Sequence, residues 1–354
     1  MTVSSSLDLT RAPRTDPSSL YRFRDELYAP DMLISALNGI DFFSWIAEHP
    51  GTVDDIARHF SMQSRPVDVM TTLLAAMGLL ERDGEVLRAT DLAREHLVSS
   101  SPWFLGPYFP KVTDRPMASD LIQVMRTGTP GAFAGRQNLG DWHRAMENET
   151  FAEEFLAAMD CRGVLSAQVL ARNLPASLKG SRRRLLDIAG GSGIYACGLV
   201  THFPEWRASV LEKPPVDRVA RRLIEKRGFA ERVDVVSSDM LQDPLPGGYD
   251  VHLFSNVLHD WDVDVVRRLL AASSRALQPG GEIIVHDAFL NAEKTGPLKI
   301  ASYSVMLMQT TQGRCYSVSE MDGWLQEAGF GKATVVESAV GRSALVARRA
   351  GREA

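Results

Sequence analysis

Two histidine–aspartate pairs in this sequence stand where apolar runs end, and both could take part in proton transfer. His259-Asp260 lies within SNVLHDWDVDVV (residues 255–266), and His286-Asp287 ends the run in EIIVHDAF. An imidazole titrates near pH ~6.5, so a histidine can accept a proton at working pH. A carboxylate beside it favours the charged ring and fixes its tautomer. The pairs therefore indicate a proton-transfer site, a metal site or ordinary helix capping.

The metal and capping alternatives depend on where these side chains point. Histidine and carboxylate ligands suit several divalent metals. Adjacent residues of one strand point to opposite faces, so His286 and Asp287 should diverge, and we expect no metal. Asp260, Asp262 and Asp264 precede a helical pattern, where N-caps and first-turn acids are common.

A glycine-rich turn follows the first apolar run of the second half, in LLDIAGGSGIYA. Glycines at Gly190, Gly191 and Gly193 let the backbone turn sharply and let a ligand approach the next helix. The spacing Gly191-x-Gly193-x-x-Ala196 also matches the dinucleotide-binding fingerprint. Asp187 favours another ligand, because a carboxylate there suits a cationic amino-acid group.

Acidic residues after the next two runs extend this candidate nucleotide site. Glu212 comes 22 residues after Gly190, and such a carboxylate can accept hydrogen bonds from both ribose hydroxyls. Asp239 follows the third run and could bind an adenine amino group, with Met240 against the ring. The alternative for both acids is a surface position at a strand end.

The second half alternates apolar runs with helical patterns, which predicts an α/β fold with a doubly wound, Rossmann-like sheet. After Phe330, KATVVES and SALVARR are separated only by AVGR, so an antiparallel hairpin should close the otherwise parallel, seven-stranded sheet. The first five strands are predicted at Arg184–Ile188, Arg207–Glu212, Arg232–Val236, Asp250–Phe254 and Glu282–Asp287.

The first half is mostly helical and has the outline of a winged helix. SALNGIDFFSWIAEHP predicts one amphipathic helix, TVDDIARHF and RPVDVMTTLLAAMG a helix-turn-helix pair, and Asp83-Gly84 the turn of a hairpin. Such units often bind DNA. Here the helix that would enter the groove is rich in large apolar residues and has one arginine, Arg65. We therefore expect its burial in a protein partner and no nucleic acid.

Length and composition are those of a globular protein. With 354 residues, 45% of them hydrophobic and 23% charged, the chain predicts two domains. The net charge of −5 gives no sign of a nucleic-acid partner. We see no membrane-spanning run and no secretory signal, and three widely spaced cysteines fit free thiols of a reducing cytoplasm.

The order of these motifs resembles that of S-adenosylmethionine-dependent O-methyltransferases of the winged-helix-dimerisation type. LLDIAGGSG, VLEKPPV, SSDML, NVLHDWD and LQPGGEIIVHD follow the family's order, and the match covers nearly the whole chain after its start. The resemblance implies a homodimer that methylates small aromatic natural products and needs no metal. It also implies four segments: a flexible tail (1–18), a winged-helix dimerisation domain (19–108), linker helices at the acceptor pocket (109–180) and a S-adenosylmethionine-binding catalytic domain (181–354).

The resemblance also assigns roles to the residues named above. It makes His259 the general base, Asp287 the acid that orients it, and Asp260 a further catalytic residue unless Asp260 only caps a helix. Trp261 is expected either against the adenine or in the core. The residues implied for the methyl donor are Asp187, Gly190, Gly191, Gly193, Glu212, Asp239, Met240, Ser255 and Trp261.

Acceptor recognition is expected from the linker helices and from ASYSVMLMQTTQG. Methionine adapts to flat rings, and arginine can hold a carboxylate. The alternatives are core filling for the methionines and surface exposure for the arginines. The candidates are Met159, Arg162, Met306, Met308 and Arg314.

Three positions depart from the pattern of the plant members. Cys315 stands where they carry a second acid, Ser255 where they tend to have a lysine, and Ala189 replaces the first glycine of the loop. Loss of the second acid weakens the case for an ordinary phenol acceptor. Transfer to nitrogen or carbon, or a non-methylating decarboxylase or hydroxylase that keeps S-adenosylmethionine, are therefore alternatives. A DNA-binding regulator with a vestigial pocket is a third, against which the acidic charge argues.

Overall fold

The computed structural model describes Leu9, Arg11 and residues 13–131, 142–179 and 182–350. Most of the predicted tail therefore lies outside the described residues. The described residues form two compact units. The sheet unit comprises those up to residue 18, those from 143 to 288 and those from 320 to 350; the helical unit comprises those within 19–142 and 289–319. The four segments inferred from sequence stay a prediction.

The first elements along the chain form the predicted helix-turn-helix and hairpin. Thr52 caps the first helix of the pair, accepting a hydrogen bond from the Asp55 N–H (3.2 Å) while the Asp55 carboxylate accepts one from the Thr52 N–H (3.0 Å). The elements are α1 (Ser18–Asp25), α2 (Ala29–Ile34), α3 (Phe42–Glu48), α4 (Val53–Phe60), α5 (Ser64–Ala76), β1 (Leu80–Asp83), β2 (Val86–Ala89), α6 (Asp91–His96) and α7 (Pro116–Thr127).

Strands and helices alternate through much of the remaining chain. They are α8 (Trp142–Ala145), α9 (Glu149–Asn173), β3 (Arg184–Ile188), α10 (Ile194–His202), β4 (Arg207–Glu212), α11 (Val216–Lys226), β5 (Val233–Ser237), β6 (Val251–Ser255), α12 (Val263–Ala276), β7 (Glu282–Asp287), α13 (Leu298–Thr310), α14 (Val318–Glu327), β8 (Thr334–Glu337) and β9 (Ser343–Arg348).

Two expectations for the helical unit are wrong. The helix predicted over residues 35–50 is broken into a π-helical turn, Ser35–Gly39, and α3, with Asp41 at a φ of 49° between them. Gly39 lies so close to α7 that a Cβ there would come 2.6 Å from Ile122 Cδ1. In addition, α5 packs on α4 and α13 of its own unit and buries its apolar face there, so that face is not left for a partner.

The seven-stranded sheet confirms the predicted fold. Its order is β5-β4-β3-β6-β7-β9-β8, parallel from β5 to β7 and antiparallel in the closing hairpin. Three predicted strands match to the residue, and β5 and β6 lie one residue later than expected. The parallel strands are apolar on both faces because helices cover both sides. Their carboxyl ends meet at one edge, where ligands of such sheets bind.

The long helix α9 buries mostly small side chains and leaves its aromatic ones partly exposed. Phe151, Phe155, Met159 and Val164 are only partly buried. The buried row is Ala152, Leu156, Asp160, Gly163, Ala167 and Leu170. Small residues let α9 approach α10 closely, since a Cβ on Gly163 would come 2.6 Å from Ile194 Cγ2 and one on Gly198 2.6 Å from Ala167 Cβ. Within the described residues, no helix combines the length and apolar composition needed to cross a membrane.

Candidate active site

His259 and Asp287 are brought together by the adjacent carboxyl ends of β6 and β7. His259 lies in a 3₁₀ turn, Leu258–Asp260, that follows β6, and Asp287 is the last residue of β7. Nδ1 of His259 is hydrogen-bonded to Oδ1 of Asp287, and both side chains are buried. Burial acts to raise the pKa of Asp287, but the charge and hydrogen bond of His259 outweigh it and lower that pKa. Because the carboxylate is charged, Nδ1 is the donor and Nε2 is left to accept a proton.

Asp260 lies on the other side of the same imidazole. Its Oδ1 is 3.6 Å from Nε2 of His259, which is beyond hydrogen-bond distance. Burial raises the pKa of Asp260 to about 6, although His259 and Arg162 act to lower it. The capping role expected for this acidic run belongs to Asp262, which accepts the N–H of Val265 at the start of α12 (2.9 Å).

His286 and Ser255 are turned away from the pair. Nδ1 of His286 lies 2.8 Å from Ser255 Oγ, and Nε2 lies 3.0 Å from Ser338 Oγ. Burial lowers the pKa of His286 to about 3, so the ring is neutral. The expected divergence of His286 and Asp287 is therefore confirmed. Ser255, expected at the methyl donor, has its hydroxyl engaged by His286.

The glycine loop between β3 and α10 adopts left-handed backbone at Ala189, Gly191 and Gly193, with φ of 52°, 57° and 73°. A Cβ at Gly190 would come 2.6 Å from Asp187 Oδ2, and one at Gly193 would come 3.0 Å from Ile224. These positions leave no room for larger side chains. The loop therefore brings bare backbone to the carboxyl edge of the sheet, where a ligand can approach.

Asp187 places a buried carboxylate beneath this loop. Among the described residues, neither of its oxygens has a hydrogen-bond partner, although the Ala196 amide is near enough to favour its charge. Burial raises the pKa of Asp187 to about 7. A buried acid without a partner is costly unless a ligand supplies one, and a cationic ligand group would do so. This fits the ammonium of an amino-acid moiety.

Glu212 lies at the end of β4, the neighbouring strand. Its Oε1 accepts the N–H of Gly191 (2.8 Å) and its Oε2 accepts the N–H of Lys213 (3.3 Å). Burial raises the pKa of Glu212 to about 7. A carboxylate can accept about four hydrogen bonds, so two ribose hydroxyls can still bind. The loop and both acids thus fit S-adenosylmethionine.

The other residues predicted for the methyl donor are partly exposed at the same edge. Asp239 shapes the turn after β5. Its carboxylate accepts hydrogen bonds from the backbone N–H of Leu241 (2.9 Å) and from the side-chain amide of Gln242 (3.2 Å). Met240 follows it, and Trp261 follows the 3₁₀ turn that carries His259. Their contact with an adenine stays a prediction.

Two acceptor candidates lie together on α9. Arg162 is buried, so the alternative of a surface arginine is wrong. Its Nη2 lies 3.7 Å from Met159 Sδ, and its charge acts to lower the pKa values of Asp260 and His286. The arginine therefore contributes positive potential beside the His259 turn.

The other three acceptor candidates belong to the helical unit. Met308 is fully buried and Met306 partly so. Arg314 is buried as well, with its Nε 3.3 Å from Asp68 Oδ2 and its guanidinium 4.6 Å from the Tyr316 ring centroid. Lys294 also contacts Asp68, at 2.6 Å. The guanidinium of Arg314 is thus held in an ion cluster, and its use as a carboxylate clamp stays a prediction.

Sequence reasoning missed three polar residues that are hydrogen-bonded to one another at the exit of β6: Asn256, Tyr195 and Arg342. Asn256 has a φ of 55°, its Nδ2 donates to Tyr195 Oη (3.2 Å), and its Oδ1 accepts from Nε of the buried Arg342 (3.0 Å). An asparagine directly after a strand is a signal for left-handed backbone. The sequence carried no signal for Arg342, because an arginine in a hairpin turn is usually exposed. In the part of the chain that is described, no group of three or more His, Cys, Asp or Glu could hold a metal.

An O-methyltransferase domain matches residues 119–331. The chain belongs to the O-methyltransferase family. This O-methyltransferase is 30% identical over 327 residues to 3-hydroxy-5-methyl-1-naphthoate 3-O-methyltransferase of Streptomyces sahachiroi, covering 91% of the chain and 92% of the relative. It is 30% identical over 265 residues to aclacinomycin 10-hydroxylase of Streptomyces purpurascens, covering 71% and 65%.

The fold of this O-methyltransferase is shared by a solved structure of similar length. A family 2 O-methyltransferase of Planctomyces limnophilus, crystallised with apigenin, has a TM-score of 0.87 and 31% identity, covering 99% of this chain and all of the other. The family match identifies a S-adenosylmethionine-dependent methyltransferase. The glycine loop, Asp187 and Glu212 are the parts of the sheet that fit its methyl donor.

Proposed function

We propose that this O-methyltransferase methylates a hydroxyl of a small aromatic metabolite, with His259 as the general base. The carrying observation is the buried pair with Asp287, which fixes the tautomer that leaves Nε2 able to accept a proton. The acceptor class is supported by two relatives, one named for a naphthoate 3-O-methylation and one crystallised with apigenin.

S-Adenosylmethionine supplies a methyl group already activated on a sulfonium. Nε2 of His259 takes the acceptor's hydroxyl proton as the oxygen bonds to the methyl carbon and the carbon–sulfur bond breaks. The ring becomes positively charged, and Asp287 at Nδ1 stabilises that charge. A general base contributes about 10²–10⁴-fold, and alignment of the acceptor with the methyl contributes more.

Asp260 adds a second negative group at the proton-accepting side of the ring. Its Oδ1 lies 3.6 Å from Nε2, so its carboxylate stabilises the same positive charge. The base then has one acid on each side, and the second comes from the neighbouring residue. This supports a hydroxyl acceptor although Cys315 replaces the acid of the plant members; Cys315 is itself buried.

The methyl donor is assigned to the loop and to the strand ends beside it. Asp187 holds the ammonium of the donor's amino-acid moiety, because its buried carboxylate has no other hydrogen-bond partner among the described residues. Glu212 accepts the ribose hydroxyls, while Asp239 and Met240 face the adenine. Glycines 190, 191 and 193 provide the close approach, and Ser255 and Trp261 border the site.

The acceptor is assigned to two sets of side chains. Met159 and Arg162 come from α9, and Met306, Met308 and Arg314 from the segment that carries α13. Methionines suit a flat ring, and Arg162, which is buried yet near Asp260, is the arginine best placed to meet an anionic substituent.

The enzyme is proposed to act as a homodimer in a reducing cytoplasm. Large apolar side chains of the helical unit are exposed, including Phe23 (75%) and Tyr108 (86%). Contiguous exposed apolar surface marks protein contacts, and Leu20 (68%) and Phe23, three residues apart in α1, lie on one face of that helix. Among the described residues, none of the three cysteines, Cys161, Cys197 and Cys315, forms a disulfide.

The decisive experiment compares turnover with donor binding in His259→Ala. We expect turnover to fall by about 10²–10⁴-fold, while the Kd for S-adenosylmethionine, measured by calorimetry, stays the same. Added imidazole should restore part of the activity. Unchanged turnover would contradict the base assignment.

The product is identified by mass spectrometry of metabolites made with and without the protein. A gain of one CH₂ supports methylation. A gain of one oxygen atom would instead indicate hydroxylation, the reaction for which the relative aclacinomycin 10-hydroxylase is named.

A further inference from the structure

We infer that His286, Asn256 and Arg342 are positioning residues that hold the general base against Asp287. The inference rests on the proposed function, in which His259 is that base. The hydrogen bonds described for these three residues cluster around the exit of β6. They act through the backbone between β6 and the 3₁₀ turn.

His286 connects three neighbouring strands at the edge that carries the site. Its Nδ1 side meets Ser255 at the end of β6 (2.8 Å), and its Nε2 side meets Ser338 in the turn between β8 and β9 (3.0 Å). Its backbone carbonyl accepts the N–H of Asn256 (2.9 Å). One buried, neutral ring therefore fixes the exit of β6 relative to β7, whose next residue is Asp287.

Asn256 is the point at which the chain leaves β6 and turns toward His259, three residues later. Its φ of 55° lies in the left-handed region, which a residue other than glycine keeps only where the surroundings support it. Four hydrogen bonds hold it here. Its N–H donates to the His286 carbonyl, its Oδ1 accepts from Arg342 Nε (3.0 Å), and its Nδ2 donates to Tyr195 Oη (3.2 Å) and to Ser255 Oγ (3.2 Å). Relaxation of this residue would rotate the turn and move the imidazole.

Arg342 supplies a buried cation from the tip of the closing hairpin. Its Nη1 donates to the Val340 carbonyl (3.2 Å), while its Nε holds Asn256. Its charge also acts to lower the pKa of Asp287. Tyr195, the other partner of Asn256, lies in the first turn of α10, directly after the glycine loop. The same asparagine thus ties the turn of the base to the helix of the methyl-donor loop.

The competing explanation is that these groups only stabilise the core. His252 offers a matched control, because it is a second fully buried histidine, on β6 itself. Burial lowers its pKa to about 3 as well, and its Nδ1 lies 2.9 Å from Ser273 Oγ. It has no hydrogen bond to Ser255, Asn256 or Arg342 among the described contacts.

The test compares His286→Asn with His252→Asn in the full-length enzyme. Both variants lose a buried imidazole, so both should lower Tm. His286→Asn should also lower kcat by about 10–100-fold, as expected for a reacting group displaced by about 1 Å, while the Kd for S-adenosylmethionine stays unchanged. His252→Asn, assayed well below its Tm, should keep the wild-type kcat.

Arg342→Met and Arg342→Lys add a rescue comparison. Methionine removes the donor to Asn256 and should reproduce the kcat loss. Lysine retains a donor and a charge and should recover part of it. Equal kcat in the two Arg342 variants would contradict the role of this contact.

The outcomes separate this inference from the proposed function. Loss of turnover in His259→Ala together with equal kcat in His286→Asn and His252→Asn would overturn the positioning role alone. Full turnover in His259→Ala would overturn the base assignment, and the positioning role with it.

Discussion

Asp260 Oδ1 lies 3.6 Å from Nε2 of His259, the ring nitrogen opposite the one that bonds Asp287. The imidazole is therefore flanked by two acids, one fixed to Nδ1 and one beside the nitrogen that accepts the proton. The two acids differ in pKa, since His259 lowers that of Asp287 against the effect of burial, whereas burial raises that of Asp260 to about 6. Of these two acids, only Asp260 changes its charge near neutral pH.

Asp260→Asn should lower kcat by about tenfold at pH 8, because a negative charge 3.6 Å from Nε2 stabilises the positive charge that the ring gains when it accepts the proton. The ratio of wild-type to variant kcat should shrink toward one below pH 6, where Asp260 is protonated in the wild type. The check is a pH–rate profile of both enzymes. Asp262→Asn, which removes the cap of α12, should change stability and leave this ratio at one.

Asp187→Asn should stabilise the ligand-free enzyme increasingly as pH rises. Burial raises the folded-state pKa of Asp187 from 3.8 to about 7, so between these values the folded protein keeps a proton that the unfolded chain has lost. Stability from this group therefore falls as pH rises through the window. Asparagine cannot ionise, so the Tm difference between variant and wild type should grow from pH 4 to pH 7.

The difference between the two Tm values is the useful quantity, because His252 and His286 shift wild type and variant alike. With S-adenosylmethionine present the order should reverse, since the variant loses the partner of the donor's ammonium. A Tm difference independent of pH would show that Asp187 ionises normally.

Arg227→Met should destabilise the sheet unit by about 3–5 kcal/mol, the usual cost of breaking a buried ion pair. Arg227 Nη2 pairs with buried Asp160 of α9, and its Nη1 donates to the Ser192 carbonyl in the glycine loop (2.6 Å). Donor affinity should fall too. Arg222→Met, in the helix α11 that ends just before Arg227, removes half-exposed pairs with Glu149 and Glu153 and should cost much less, because solvent screens exposed ion pairs. Urea unfolding of the two variants compares these costs; equal losses would contradict the prediction.

Gly163→Ala should destabilise by about 1–3 kcal/mol through overpacking, although alanine favours helices. The added Cβ would come 2.6 Å from Ile194 Cγ2. Gly323 in α14 has no atom within 4 Å of such a Cβ, so Gly323→Ala should stabilise by about 0.5–1 kcal/mol. The sign of the change in unfolding free energy decides between packing and propensity.

Phe23→Glu combined with Tyr108→Glu should convert the proposed dimer to monomers in light scattering. Both side chains are exposed on the helical unit, and two carboxylates would oppose apolar association. Leu241→Glu changes an exposed apolar residue of the sheet unit and should leave the mass unchanged. A wild-type protein that is already monomeric would remove the basis of the proposal.

The sheet was predictable because buried parallel strands read as apolar runs with polar ends. The runs before Asp187, Glu212 and Asp287 give strand bounds that match to the residue. The pairing of His259 with Asp287 follows from this, because parallel neighbours bring their carboxyl ends together. It also required the family resemblance, since sequence alone does not show which strands are adjacent.

Residue type alone did not predict which face of a helix is buried or which arginines are buried. The buried face of α9 is defined by Gly163 and Ala167, whose small size matters more than their hydrophobicity. Arg314 was predicted at the acceptor, with surface exposure as the alternative, and Arg342 was not singled out. Both are buried because partners distant in sequence, Asp68 and Asn256, contact them.

The glycine and alanine row along α9 has a consequence for engineering a new acceptor range. Met159 lies on the partly exposed side of the helix, whereas Asp160 and Gly163 lie against α10 and the donor loop. A mutant library that varies the first side should retain donor binding in most members. A library that also randomises the buried side of α9 would consist largely of enzymes that no longer bind the methyl donor, so a changed acceptor range could not be used.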